Sequence, residues 1–362
     1  PQGTLFGRNA TGGAVNVTSL KPTEEFENHV RATAGDYGRL NVGASSSGPI
    51  TDDLGYRVYG YQNTRDGYID NNGGDDIWDQ DQWGWGAQLS WDMSDTLNLW
   101  VSYATDIRDN MKNLGANQGG YLITPYLTDL RSQDGFLLSE AYQWNKENPA
   151  VRDSYKVDSN DVLKIKDDSN NKWIAHLTWD LDNLTLKYIG SYFDGNYTSD
   201  NGDLGYTSNP ENRVVEGADQ DSEAYSHEIQ FLSANDGPLQ WVGGLYMYHQ
   251  QLEQPYTIRS RLAGYLDNTI PVDDLFNINA VQSNLGDRWQ YNQQADLDTD
   301  SYAAYFDANY TFNEQWKLTA GLRYSYDEKD GKEQQYVVAD PYADEAALAL
   351  PPEWEALGFP EN

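Results

Sequence analysis

A chain of 362 residues with 57 Asp and Glu against 24 Lys and Arg has a formal charge of −33, which argues against nucleic acid as a partner because phosphate binding needs clustered cations. Cysteine is absent, which excludes a disulfide framework, a thiolate metal site and a cysteine nucleophile. The 12 Trp, 27 Tyr and 9 Phe are too many aromatics for a solvating, disordered chain.

The chain opens on Pro1-Gln2-Gly3-Thr4-Leu5-Phe6-Gly7-Arg8-Asn9-Ala10-Thr11-Gly12-Gly13-Ala14-Val15-Asn16-Val17, a glycine-rich turn leading into a short β run, and Leu20-Lys21-Pro22 follows as a linker. Pro1 begins neither a basic nor an apolar segment, so for an exported protein further sequence is expected ahead of it. Beyond the linker the polarity alternates with period two, the mark of strands with one apolar face. His29 to Ala34, Leu40 to Ser46 and Leu54 to Gln62 come first. From Trp83 to Trp91 one face carries Trp83, Trp85, Ala87, Leu89 and Trp91, and the other Gly84, Gly86, Gln88 and Ser90. Leu97 to Thr105, Trp173 to Leu181, Leu184 to Tyr192, Tyr225 to Phe231, Leu239 to His249 and Tyr302 to Tyr310 continue the pattern. Trp316 to Asp327 ends it with an unbroken polar face of Lys317, Thr319, Gly321, Arg323, Ser325 and Asp327. About eleven strands are predicted in all.

Short turns and long loops alternate between these strands. Gly48 to Asp53, Met93 to Thr96, Asp180 to Asn183, Ala234 to Pro238 and Asn313 to Gln315 are hairpin turns rich in turn formers. Arg65 to Gln82, Asp106 to Asn171, Asp194 to Ser222 and Gln251 to Asp300 are read as long connections. Segregation of short turns to one rim and long loops to the other, with aromatics such as Trp83 and Trp91 or Trp173 and Trp179 at strand ends, predicts a transmembrane barrel with interfacial girdles. The predicted fold class is therefore all-β, an antiparallel transmembrane β-barrel present in part. The final segment, Leu350 to Asn362, reads as an extracellular loop in which the barrel is cut short.

The acidic stretches Asp70 to Asp76 and Asp194 to Asp200 offer hard oxygen ligands, but neither supplies the distal bidentate glutamate of a calcium loop. His29, His176, His227 and His249 show no paired metal-ligand spacing. Solvated loop is the expectation for the acids, and no metal or cofactor is called for.

The run from Pro1 to Val17 resembles the end of the plug domain in TonB-dependent outer-membrane receptors, which reads Gly-Pro-x-x-x-Leu-Tyr/Phe-Gly-x-x-Ala-x-Gly-Gly-x-Ile/Val-Asn-Ile/Val ahead of a Lys-Pro linker. Ser47 to Arg57 resembles the family's first periplasmic hairpin, Arg65 to Asn71 the loop entry that follows, Ser226 to Ser233 a recurrent mid-barrel strand, and Ala320 to Ser325 another. The resemblance implies that residues 1–22 are the C-terminal tail of a plug and 23–362 the N-terminal half of a barrel of roughly 22 strands. It places the parent in the outer membrane of a Gram-negative bacterium, in contact with outer-membrane lipid. The implied activity is uptake of a scarce nutrient, a ferric siderophore or other iron complex, energised by the TonB complex acting through the parent's N-terminal region; no bond is made or broken.

Aromatic loop residues facing a concave vestibule would capture such a ligand, and Tyr121, Tyr126, Trp144, Tyr256, Tyr265, Trp289 and Tyr291 are the candidates. Arg8 in the plug tail and Glu228 on the lumen face are candidates for a plug-to-wall contact. Acidic loops would repel polyanions at the mouth, which favours a neutral or cationic siderophore or an uncharged glycan. The alternatives are a family member for a glycan or cobalamin, a passive porin, and a secreted β-rich protein that binds or hydrolyses glycans.

Overall fold

The computed structural model describes residues 18–71, 75–113, 156–157, 163–203, 212–262 and 288–339. Eleven strands form one antiparallel sheet, and each is hydrogen-bonded to its neighbours in chain order. They are β1 (Glu27–Ala34), β2 (Leu40–Thr51), β3 (Leu54–Arg65), β5 (Gln80–Ser94), β6 (Leu97–Asn113), β8 (Leu163–Leu181), β9 (Leu184–Asp203), β10 (Asn212–Ser233), β11 (Leu239–Leu262), β12 (Arg288–Asn313) and β13 (Trp316–Ala339). Two short strands, β4 (Asp70–Asn71) and β7 (Lys156–Val157), pair in parallel beside it. All eleven predicted strands are present, and a meander of this kind needs no crossover connection.

Register fixes which side chains share a face. Glu228 pairs with Tyr246 in β11 and with Ile189 in β9, Tyr246 with Ala303 in β12, and Ala303 with Ser325 in β13. This row lies on the concave side, where Glu228, Ala303, Tyr305, Ser301 and Thr299 are buried. The convex side carries the residues of opposite parity, and its large apolar side chains are exposed: Leu245, Phe306, Tyr302 and Leu322, the last 77 % accessible. Apolar outside and polar inside is the inverse of a water-soluble sandwich core. Rings gather in rows on the outer face. Trp85, Tyr103 and Trp173 form one row across three strands, with centroids 5.0 and 4.5 Å apart. Trp241 and Phe306 stack at 5.8 Å nearer the short-turn rim.

The strands run much further than the apolar alternation predicted. β11 has 24 residues and β12 has 26, against roughly 9 to 11 needed to cross a bilayer. The segment Asp194 to Ser222, expected as a long connection, is mostly strand, with β9 continuing to Asp203 and β10 starting at Asn212. Gln251 to Asp300 is likewise strand up to Leu262 and from Arg288 onward. Continued pairing satisfies the backbone N–H and C=O groups. Neither face there needs to be apolar, so the signal that located the lower strands is missing from the upper ones. Asp194 to Asp200 is therefore not a loop; its two carboxylates stand six residues apart along an extended strand, roughly 20 Å, and cannot converge on one ion.

Where β3 and β5 join, Ile69 and Ile77 are sealed from solvent, with Tyr68 packed on them. Arg65 donates from Nη2 to the Trp78 carbonyl at 2.6 Å, and Asp76 Oδ1 accepts the Asn71 N–H at 3.1 Å. One carboxylate of the acidic stretch Asp70 to Asp76 thus holds this loop's own backbone.

Candidate functional site: the concave wall

The chain reaches the wall from the inside, at the short-turn rim. Ser47 is inward-facing and 1 % exposed. Its hydroxyl accepts the Thr23 N–H at 2.9 Å, lies 2.9 Å from the Thr23 hydroxyl, and donates to the Tyr56 carbonyl at 3.1 Å. Phe26 lies so close to Gly48 that a Cβ there would meet its ring at 2.5 Å. Lys21, together with Lys187, is a cationic neighbour of the inward-facing His176. The chain immediately after the predicted linker is therefore laced to the concave face of β2 and β3.

Midway up the wall, Glu228 accepts the Tyr305 hydroxyl at 2.5 Å and the Gln230 side-chain amide at 2.9 Å. Tyr305 can lie flat over the wall because its partner in the register is Gly244, where a Cβ would collide with the phenol ring. The Arg323 guanidinium stands over the same ring, 5.7 Å from its centroid, and its Nε donates to Ser325 Oγ at 2.9 Å. The predicted contact residue Glu228 is thus buried and engaged by neutral donors; Arg8 lies outside the described residues.

Above this row the wall changes character. β10 turns Ala218, Gln220, Ser222 and Ala224 inward, β11 turns Tyr248, Gln250, Leu252, Gln254 and Tyr256, and β12 turns Tyr291, Gln293, Thr299 and Ser301. Tyr248 donates to Gln250 Oε1 at 2.9 Å, and Gln250 Nε2 donates to Ser222 Oγ at 3.2 Å. Gln293 and Gln335 each donate to Glu333 Oε1 at 2.6 Å. Burial and the Glu333 carboxylate together push the Tyr291 phenol above its ordinary range. On the outer face of the same strands stand Asp219, Asp221, Glu223, Glu253, Asp296, Asp298 and Asp300.

Of the predicted ligand residues, Tyr256 and Tyr291 share this upper wall, Tyr256 pairing with Gln293 and Tyr291 with Ile258. Trp289 sits in β12 opposite Ser260 and Ala339. Tyr121, Tyr126, Trp144 and Tyr265 lie outside the described residues, as do the plug-like run Pro1 to Val17 and the segment Leu350 to Asn362. The sequence reading missed Tyr305, Gln230, Gln250, Gln254, Gln293 and Ser47. A signal for the upper residues existed in Asp219-Gln220-Asp221-Ser222-Glu223 and Asp296-Leu297-Asp298-Thr299-Asp300, which alternate with period two although no apolar face accompanies them.

An antiparallel meander that is apolar without and polar within, entered from the concave side at its short-turn rim, defines the wall of an outer-membrane transport barrel. The chain belongs to the TonB dependent receptor-like β-barrel family, whose model matches residues 109–347. This is a family of transport receptors rather than enzymes, located in the outer membrane of Gram-negative bacteria. Among solved structures, the chain resembles the ferric yersiniabactin uptake receptor FyuA from Yersinia pestis with a TM-score of 0.62 at 13% identity, covering 93% of this chain and 47% of that one. It resembles the receptor in the FpvAI–pyocin S2 complex with a TM-score of 0.61 at 15% identity, covering 94% of this chain and 44% of that one. Pseudomonas aeruginosa FpvA bound to heterologous pyoverdines follows at 0.54 and 14%, covering 89% and 41%. The chain spans less than half the length of each of these proteins.

Proposed function

We propose that residues 1–22 form the tail of a plug and 23–362 the first half of the barrel in a TonB-energised receptor that imports a scarce nutrient, an iron chelate of the siderophore type. The observation that carries this reading is the lacing of Thr23 to Ser47 on the concave face, which supports entry of the preceding chain from the lumen side, where a plug must sit. The relatives named in solved structures are a ferric yersiniabactin uptake receptor and a pyoverdine-bound receptor, which supports iron chelates as cargo. The outward apolar band from Trp241 to Tyr324 meets outer-membrane lipid. Arg8 approaches Glu228 when the plug is seated and exchanges with the neutral donors Tyr305 and Gln230, and the upper-wall tyrosines Tyr256 and Tyr291 face the cargo together with Tyr121, Tyr126, Trp144, Tyr265 and Trp289 from the loops.

Accumulation of radiolabelled ferric chelates by cells expressing the complete receptor, with and without a functional TonB, tests the proposal. Uptake should disappear without TonB, leaving only label bound at the cell surface. Equal accumulation in the two strains, or none above a receptor-deletion strain for any iron chelate, would overturn it.

A further inference from the structure

The upper wall built by β9 to β12 separates charge by face. We propose that this sector of the vestibule selects an uncharged ligand rich in hydroxyl and carbonyl groups, a neutral chelate or a saccharide, and excludes polyanionic chelates. The inference rests on the transport reading above only in taking the concave face as the path of the cargo.

Between the Glu228 row and Ala218, the inward positions of β9 to β12 carry amides, hydroxyls, aromatic rings and small or aliphatic side chains, and none of these described side chains carries a charge; Glu216, one inward place higher on β10, pairs with Ile258. The outward positions of the same strands carry carboxylates, with Asp219, Asp221, Glu223, Glu253 and Asp298 exposed on that side. A register slip of one residue would exchange the two sets, so the continuous pairing of β11 with β12 from Leu239 to Arg261 fixes this arrangement.

The flanking sectors carry inward charges of both signs. Inward on the early strands, Lys172 pairs with Asp106 at 3.1 Å. Inward on β13, Lys317, Arg323 and Lys329 stand beside Asp327 and Glu333. An anion pressed on β9 to β12 above the Glu228 row would lose water and find no inward cation among the described residues there to replace it. A hydroxyl or carbonyl would meet amide donors and acceptors at hydrogen-bonding height, with phenol rings beside them able to cover apolar ring faces. The negative balance of the chain thus resides, over these strands, on the outside.

Three probes separate the cases in the purified complete receptor: a ferric trihydroxamate of zero net charge, a linear α-glucan, and a trianionic ferric tris-catecholate, each titrated against Trp and Tyr fluorescence. Binding of either neutral probe with at least tenfold weaker binding of the trianion is the expected result, and which neutral probe binds identifies the source. Equal or tighter binding of the trianion, or binding of neither neutral probe, overturns the proposal. Gln250→Glu and Gln254→Glu should each weaken the neutral probe about tenfold, the loss of one hydrogen-bonded donor. Gln251→Glu, one residue away on the outer face, should leave it unchanged. Equal effects at positions 250 and 251 would also overturn the proposal. Heat-modifiable migration on gels verifies that each variant is folded. Binding of neutral probes without TonB-dependent accumulation would remove the transport reading and leave this one standing, while TonB-dependent uptake confined to anionic chelates would do the reverse.

Discussion

The lower and upper halves of the same strands obey different rules. Below, the outer face is apolar and ringed, and the inner face polar, as in Leu245 beside Tyr246 or Phe306 beside Tyr305. Above, the outer face is acidic and the inner face neutral, as in Glu253 beside Gln254 or Asp298 beside Thr299. The backbone ladder passes from one half to the other without interruption in β11 and β12, so pairing alone does not distinguish them. What changes is the medium on the convex side, and with it the residues that side can carry. Parity is conserved and polarity is not.

The largest expected effect tests the lower half. Leu322→Arg, outward and opposite Phe306, should destabilise the complete receptor by roughly 2 to 4 kcal/mol in urea unfolding from liposomes if it lies near mid-bilayer, whereas Thr319→Arg, inward and opposite Asn309, should cost far less. Equal penalties would mean the faces are assigned wrongly.

At the boundary between the halves, Glu228→Leu should cost about 1 to 3 kcal/mol because the Tyr305 hydroxyl and the Gln230 amide lose their acceptor inside the wall. Adding Tyr305→Phe should restore part of that loss, and a double-mutant cycle would expose the coupling. Additive penalties would show that the two groups act independently.

A smaller change is expected at the rim. Ser47→Ala removes the acceptor for the Thr23 N–H and should cost about 1 kcal/mol, with faster proteolysis within residues 18–26 as the more sensitive reading. Unchanged cleavage would argue that the linker is held elsewhere. The smallest effect belongs to the upper outer face. Asp221→Asn, exposed and facing away from the lumen, should alter stability by less than about 0.5 kcal/mol and leave binding of neutral probes intact.

Much of the lower half was legible in the sequence. The segments Trp83 to Trp91 and Trp316 to Asp327 gave the strand, its two faces and its girdle together, because lipid on one side and water on the other imprint period two on polarity. The plug-like run lies outside the described residues; just after the Leu20-Lys21-Pro22 linker, Thr23 is clasped to Ser47 on the concave face. Strand length was not legible. Gln250 to Tyr256 and Tyr291 to Ser301 lack an apolar face, and a criterion based on apolar alternation reads them as loop. In β12 the acids Asp296, Asp298 and Asp300 nevertheless recur at every second position, a pattern set by facing rather than by burial.

Composition, alternation and turn chemistry thus determined the fold class, the strand number and the outward set of each lower strand, since these are local consequences of a two-residue repeat. Which residues meet was decided only by register across neighbouring strands: Tyr305 reaches Glu228 over 77 positions of chain because Gly244 leaves room beneath its ring. The allotment of carboxylates to the convex face and amides to the concave one was likewise settled by curvature, for a strand's own sequence separates two faces without saying which of them closes around the lumen.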